Sequence, residues 1–115
     1  YLDACISYLA VILEHLYKWD NFRSLTRAGG EKGGLSWIKS VENARLRLET
    51  LTERYPSLRT KLPESTQEAW IEAKGSIKVW LNELGYDHKS FNLPSACPYT
   101  YEEAMTRDLR KEIEP

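Results

Sequence analysis

The chain has 115 residues, 42% of them hydrophobic and 29% charged, which is the length and composition of one globular domain with its own core. Its 16 Lys and Arg residues nearly balance 17 Asp and Glu residues, so the formal charge of -1 gives no general attraction to nucleic acid or anionic lipid. No apolar run approaches the roughly 20 residues of a membrane-spanning helix and no signal peptide leads the chain, so we expect a cytoplasmic protein without a membrane or nucleic-acid partner.

The two cysteines, Cys5 and Cys97, are too few and too far apart for a disulfide framework or a zinc cluster. We therefore expect two free thiols, with Cys5 buried, and neither a metal nor a cofactor. The chain begins at Tyr1, already inside an apolar pattern and without a helix-capping residue ahead of it. We interpret residues 1–115 as a single helical domain that lacks a natural N-terminal segment.

The first predicted element is an amphipathic helix from Leu2 to Trp19. Its apolar positions recur at steps of three and four residues, as in Cys5, Leu9, Ile12, Leu16 and Trp19. The periodicity then stops, and residues 20–34 contain two Gly-Gly pairs. Glycine-rich loops before helices can bind phosphate, but this one lacks the Lys-Ser or Lys-Thr pair and the preceding strand of such sites. We interpret it as a flexible tether.

A second amphipathic helix is predicted from Leu35 to Arg54, with Ser36 capping its first free backbone N–H groups. Pro56 cannot donate a hydrogen bond and disfavours helical geometry in the residue before it, so it ends this helix. Residues 56–62 are predicted to be a break that contains one short turn over 57–61. Pro63 is predicted to close that break.

A third long helix is predicted behind the capping-box pair Ser65 and Glu68, and it stops at Gly85. Residues 86–99 contain two prolines and no sustained period, which is typical of an extended connector.

A second capping box, Thr100 with Glu103, predicts a short final helix from Tyr101 to about Glu112. Alternation with a period of two, which would indicate β-strands, is absent from the sequence. The sequence therefore predicts an all-α fold, a compact helical bundle of three long helices plus a short C-terminal helix.

Polar side chains cluster near the end of the first helix, within about one turn. They are Glu14, His15, Lys18 and Asp20, beside Trp19. Such a cluster could carry out acid–base chemistry or bind a metal. However, a single histidine without a second one four residues away is more typical of a half-buried structural histidine.

Arg45 lies on the apolar face of the second helix, where an unpaired charge is costly. Glu42 or Glu49 on its own helix, or Glu14 or Asp20 from the first helix, could neutralise it. A paired Arg45 would be structural, whereas an unpaired Arg45 in a cleft would be a candidate anion-binding residue.

Several segments, in this order along the chain, resemble the bacterial helical family called domain of unknown function DUF29, which is common in cyanobacteria. They are His15-Leu16-Tyr17-Lys18-Trp19, Ser36-Trp37, Arg45, Pro56-Ser57-Leu58-Arg59 followed by Leu62-Pro63, and Cys97-Pro98-Tyr99. The resemblance implies a compact helical bundle and an acidic helical segment upstream of this chain. It implies no activity.

Five of these residues sharpen the site hypothesis, because they could converge where the first two helices meet. They are His15, Lys18, Trp19, Trp37 and Arg45. They would form either a polar corner of the core or a ligand-binding site, and we assign no catalytic residue and no metal ligand.

The leading functional hypothesis is a non-enzymatic protein-interaction module that binds a protein partner or a second copy of itself through apolar surface. The alternative hypothesis is an enzyme or a nucleic-acid-processing factor. In that case His15 would be the acid–base group, and Lys18 or Arg45 would contact an anion.

Overall fold

The computed structural model describes residues 1–25 and 34–113, and within these ranges it contains helices and no strand. In these two ranges, the 3₁₀-helices Arg23–Leu25 and His88–Ser90 accompany six α-helices. The α-helices are α1 (Leu2–Asn21), α2 (Leu35–Arg54), α3 (Leu58–Glu64), α4 (Thr66–Glu83), α5 (Tyr101–Thr106) and α6 (Leu109–Ile113). The predicted all-α bundle is confirmed. Most of the loop predicted over 20–34 lies outside the described residues.

The central helix is α1, which packs against α2 on one side and α4 on the other and also contacts α3 and α5. Its apolar arc is removed from water almost completely, and the residues with no exposed surface are Cys5, Leu9, Ile12, Leu13 and Leu16. Burying a Leu or Ile side chain stabilises a fold by about 1.5–3 kcal/mol, so this arc is the main apolar contribution of α1. The predicted burial of Cys5 as a free thiol is confirmed.

An aromatic cluster joins the end of α1 to the other long helices. The ring of Phe22 lies 5.9 Å from that of Trp80 on α4, and Trp80 lies 6.0 Å from Trp37 on α2. Phe91 of the connector meets Phe22 edge to face at 5.2 Å. Pairs in these arrangements add about 0.5–1.5 kcal/mol beyond their buried area. The cluster therefore holds both flanking helices and the connector at this end of α1.

The molecule is flat, with a smallest dimension of 19 Å among extents of 41, 33 and 19 Å. Because packed helices lie about 8–10 Å apart, this thickness fits two layers of structure. The first layer is α2, α1 and α4. The connector and α5 contribute to the second, since Pro94 accepts a hydrogen bond from Trp70 and Ala104 accepts one from Arg45.

The start of α2 differs from the prediction. Gly34 is the N-terminal cap residue, with a left-handed φ of 78°, whereas Ser36 lies inside the first turn. No side chain caps this helix end. The prediction that Ser36 caps α2 is therefore wrong, because the helix begins one residue before it.

The break predicted over 56–62 is mostly helix, because α3 runs from Leu58 to Glu64 and includes Pro63. Leu58 and Leu62 are buried four residues apart, so packing of this short helix outweighs the cost of the proline. Ser65 does not form the predicted capping box, since its hydroxyl donates to the carbonyl of Lys61 at 3.0 Å. The adjacent helix supplies an acceptor that the sequence pattern did not include.

The C-terminal half confirms two local predictions and corrects one. Gly85 ends α4 in the Schellman arrangement, in which Tyr86 N–H donates to Leu81 O and Gly85 N–H donates to Asn82 O. Thr100 and Glu103 form a complete capping box at α5. The single helix predicted from Tyr101 to Glu112 is wrong, because it is interrupted at Arg107 and Asp108 between α5 and α6.

Two glycines give a matched test of backbone strain and helix propensity. Gly85 has a φ of +90°, so Gly85→Ala should lower the free energy of unfolding by about 1–2 kcal/mol. Gly75 lies inside α4, where an added Cβ meets no atom within 4 Å, so Gly75→Ala should raise it by about 1 kcal/mol. Urea denaturation of dilute protein measures both, and a shift of the same sign in the two variants would contradict this assignment.

Candidate functional site

The outer face of the α2–α1–α4 layer carries an open groove, here called the α1–α2 groove. It consists of two adjoining hollows of about 500 Å³ and 270 Å³ that share Tyr8, Asn43 and Arg47. Its remaining lining residues are Val11, Ser40, Ala44, Leu46, Thr50 and Leu51. The groove has the mixed apolar and polar lining that is typical of a binding surface.

The side of α2 that forms this groove faces away from the C-terminal segment, which is defined as residues 99–113 and contains α5 and α6. Arg47 lines the groove, whereas Arg45 contacts α5. Residues two positions apart point about 200° apart around an α-helix, so these two arginines lie on opposite sides of α2. The groove is therefore on the uncovered side of the helix layer.

A second, shallower groove of about 630 Å³ lies between α1 and α4, and Lys18 forms part of its wall. Lys18 is 5% exposed, its ammonium lies 2.6 Å from a carboxylate oxygen of Glu14, and it sits 4.3 Å from the centre of the Trp80 ring. Ion pairing and the negative face of the ring both compensate for the loss of water around this charge. These contacts account for Lys18 as a structural residue.

His15 is half-buried, and its Nδ1 lies 2.7 Å from the carbonyl oxygen of Val11 on the same helix. A carbonyl can only accept, so Nδ1 carries the proton. Burial lowers the pKa of His15 below its ordinary value, against the opposing effects of the Val11 hydrogen bond and the nearby Glu14 carboxylate. The imidazole is therefore stabilised in its neutral form.

Trp19 and Trp37 are both buried but belong to different clusters. The ring of Trp37 meets Trp80, which also lies under the ammonium of Lys18. Trp19 donates its ring N–H to Glu112 of α6 at 3.3 Å, and the guanidinium of Arg23 lies 3.9 Å from its ring centre. The structure thus brings Lys18 and Trp37 together at Trp80, while Trp19 contacts the C-terminal segment.

Arg45 is not neutralised in the predicted way. Its Nε donates to the carbonyl of Ala104 at 2.8 Å, in the last turn of α5, where carbonyl groups have no partner within the helix. Its Nη2 is buried and finds no hydrogen-bond partner within the described residues. Burial lowers the pKa of Arg45, with Glu42 the largest of the carboxylates that oppose the shift.

None of the four carboxylates proposed as partners of Arg45 lies within ion-pairing distance of its guanidinium, and three of them pair with other residues. Glu14 pairs with Lys18, and Asp20 pairs with Arg107. Glu42 pairs with Arg110 of α6, with 2.6 Å between Oε2 and Nε. The predicted ion pair of Arg45 is therefore wrong, because its guanidinium reaches a helix end that the sequence pattern did not place there.

A polar network that the sequence analysis missed ties the C-terminal segment to α1. Arg107 donates to both carboxylate oxygens of Asp20, at 2.8 and 2.6 Å, and to both of Glu112, at 2.9 and 2.8 Å. Tyr99 donates its hydroxyl to Asp20 at 2.6 Å. Only Asp20 was in the predicted cluster. Nothing in the spacing along the chain connects it to Tyr99, which lies 79 positions later, or to Arg107, which lies 87 positions later.

The ionisation of this network follows from its contacts. Partial burial opposes ionisation of Asp20, but the hydrogen bonds from Arg107 and Tyr99 outweigh it and lower the pKa of the carboxyl. The hydrogen bonds to Asp20 and Glu112 raise the pKa of Arg107. Burial, followed by the hydrogen bond to Asp20, raises the pKa of Tyr99 well above its ordinary range. The network is thus a fixed array of charges around a tyrosine that remains protonated.

Both thiols are unsuited to nucleophilic chemistry. Burial raises the pKa of Cys5 and of Cys97. Cys97 donates its thiol proton to the carbonyl of Tyr99 at 3.2 Å. Because the thiolate is the reactive form, these shifts keep both cysteines in the unreactive state.

Neither a metal centre nor a membrane span is found in the part of the chain that the structure describes. Over residues 1–25 and 34–113, no three His, Cys, Asp or Glu side chains are grouped so that they could hold a metal ion. No helix in those ranges is both long enough and apolar enough to cross a bilayer.

Comparison with known families decides the relationship that the sequence segments suggested. The family model described as domain of unknown function DUF29 matches residues 2–109. The chain belongs to the DUF29 family. No curated protein and no solved structure gives a significant match.

We expect His15 to make the stability of the DUF29 domain depend on pH. Its pKa in the folded state is lower than the ordinary 6.5, so between these two values the unfolded chain binds more protons. The stability from neutral His15 is complete above about pH 6.5 and is lost as the pH falls through the folded pKa. We expect His15→Gln to remove this dependence, which reaches at most about 1.4 kcal/mol per pH unit in the parent.

Urea denaturation at a series of pH values between about 4.5 and 7.5 measures the effect. His88 is present in both proteins, so only the contribution of His15 differs between them. Parallel stability curves for parent and variant would contradict the assignment.

Arg107 is expected to hold the C-terminal segment in place. Because the pairs are about a third exposed, Arg107→Ala should lower the free energy of unfolding by only about 1–2 kcal/mol. Arg107→Lys should recover less than half of the loss, since an ammonium cannot bind two carboxylates as a planar fork does. Urea denaturation measures the loss, and hydrogen exchange should show faster opening of α5 and α6.

Arg110→Ala is the matched control for Arg107→Ala. The ion pair of Arg110 with Glu42 is more exposed, with 50% and 43% of the two side chains accessible, so the loss should be clearly smaller. An equal loss in both variants would contradict a special role for Arg107.

Proposed function

We propose that this DUF29 domain is a non-enzymatic interaction module that binds a helix of a partner protein in the α1–α2 groove. The main support for this proposal is the open, partly apolar groove on the uncovered side of a two-layer molecule. At its edge Leu46 is 61% exposed, although it lies in the middle of a long helix. Leu46 adjoins the apolar lining residues Leu51 and Val11. Contiguous exposed apolar surface of this kind is a feature of protein-binding sites.

The shape of the groove supports a helix as its occupant. Its two walls, α1 and α2, are 20 residues long each, which corresponds to about 30 Å of helix. A partner helix lying along them would form a third layer, with apolar side chains spaced three and four residues apart meeting Tyr8, Val11 and Leu51. Asn43 and Thr50 would offer hydrogen-bonding groups at the rim.

The arrangement of the polar residues supports interaction over catalysis. An enzyme or a nucleic-acid-processing factor would need His15, Lys18 and Arg45 to face one cleft. Lys18 is paired with Glu14, Arg45 binds the end of α5, and the imidazole of His15 is hydrogen-bonded to its own helix. These contacts give each residue a structural role that requires no substrate.

Site-specific photo-cross-linking tests this proposal. A photo-reactive side chain at position 43, inside the groove, should cross-link to a partner in cells, while the same group at the exposed position 59 on α3 should not. The partner is then purified and its binding is measured by calorimetry. Leu46→Lys should weaken binding at least about tenfold, because it places an ammonium on the apolar edge of the groove.

Val79→Lys is the matched control, because Val79 is an apolar residue of similar exposure, 58%, on the distant helix α4. It should leave the affinity within about twofold, since it does not line the groove. Equal weakening by the two variants, or the absence of any cross-link specific to position 43, would contradict the proposed groove.

A further inference from the structure

The outward face of α4 carries an apolar strip that the described structure leaves uncovered. Ile71 is 63% exposed and Val79 is 58% exposed, and Gly75 lies midway between them. Residues four apart lie on one side of a helix, so these three form a continuous strip, here called the α4 strip. The buried residues of α4, which include Trp70, Ala73, Ile77 and Leu81, face the opposite way.

Nothing in the described part of the molecule explains why position 75 is a glycine. A glycine in a helix interior is less stable than an alanine, and an added Cβ at this position would meet nothing within 4 Å. No close contact within residues 1–25 and 34–113 therefore requires it. A second helix that approached the strip closely would require it, since the missing side chain lets two backbones come together.

The two sides of the α4 strip carry opposite charges. Glu72 and Glu83 border α1 across the shallow groove that also contains the Glu14–Lys18 ion pair, and these two glutamates form the acidic side. The opposite side borders the connector and is basic, with Lys74, Lys78 and Lys89 around one hollow of about 260 Å³. The strip therefore separates an acidic side from a basic side.

We propose that two copies of this chain associate by packing α4 against α4 in parallel, with Gly75 at the centre of the contact. A two-fold axis along the helices places the acidic side of each copy on the basic side of the other. An antiparallel pair would instead place acidic side on acidic side and basic on basic. Charge complementarity thus favours a second copy of the chain as the occupant of the α4 strip. It also favours the parallel orientation of the two helices.

The size of the contact predicts a weak dimer. Stable complexes bury about 800 Å² per partner, and the face of one 18-residue helix supplies less than that. We expect a dissociation constant of about 10–100 µM. This self-association adds a second surface to the proposed interaction module and leaves the α1–α2 groove free.

Sedimentation equilibrium between about 10 µM and 1 mM tests the proposal. The parent protein should pass from monomer to dimer over this range. Gly75→Lys should weaken the dimer at least about tenfold, because it brings two ammonium groups together at the axis, while raising the melting temperature of the monomer by a few degrees. A parent that stays monomeric at 1 mM, or a dimer that Gly75→Lys does not weaken, would overturn the proposal.

Charge reversal tests the pairing of the two sides. Glu72→Lys alone and Lys78→Glu alone should each weaken self-association, because like charges then face each other twice. An equimolar mixture of the two variants should restore it, since both contacts in the mixed dimer join opposite charges. Failure of the mixture to associate better than either variant would overturn the charge pairing.

Disulfide trapping in a Cys97→Ser background tests the orientation. Val79→Cys should cross-link with itself in a parallel pair, because the two copies of this position lie at the same height. In an antiparallel pair Val79→Cys would instead cross-link with Ile71→Cys, and this result would overturn the parallel arrangement.

The groove variant Leu46→Lys separates this inference from the proposed function. It should leave the dimer unchanged, and Val79→Lys should weaken the dimer without changing partner binding in the α1–α2 groove. Loss of the dimer in Leu46→Lys would overturn pairing through α4. Loss of partner binding alone in Leu46→Lys leaves the α4 pairing intact.

Discussion

Burial of α1 decides where the helices packed against it, α2, α3, α4 and α5, lie. Its apolar arc is too wide for one neighbour to cover, so α2 and α4 pack on its two sides and α5 contacts it as well. Residues of α1 such as Leu9 and Leu16 lose all exposure in this packing. What remains of α1 outside this arc is a narrow strip, and that strip forms one wall of each outer groove.

The second layer is held by polar contacts that reach across the chain. Arg45 binds a free carbonyl at the end of α5, and Arg107 joins Asp20 to Glu112 around the start of α6. These charged side chains hold short helices that would be unstable alone. Through Asp20, the polar cluster on α1 takes part in one of these contacts.

The surfaces proposed for binding follow from this two-layer arrangement. Covering one side of α1, α2 and α4 leaves the other side open, and it leaves α4 at an edge with Ile71 and Val79 exposed. The α1–α2 groove and the α4 strip differ in chemistry, since the groove is lined by one arginine and neutral residues whereas the strip lies between opposite charges. One surface suits a partner helix and the other suits a second copy.

The sequence by itself determined the three long helices, the burial of Cys5, the stop at Gly85 and the cap at Thr100, because periodicity and capping depend on residues within a few positions of one another. Only the tertiary structure decided the partner of Arg45, the break at Arg107 and the residues that line each groove. Those features depend on contacts between residues that are far apart in the chain. Arg45 and the carbonyl of Ala104 are 59 positions apart, and Asp20 and Arg107 are 87 positions apart. The spacing of residues along a helix sets which side they face, but it carries no information on which distant carbonyl or carboxylate the folded chain brings there.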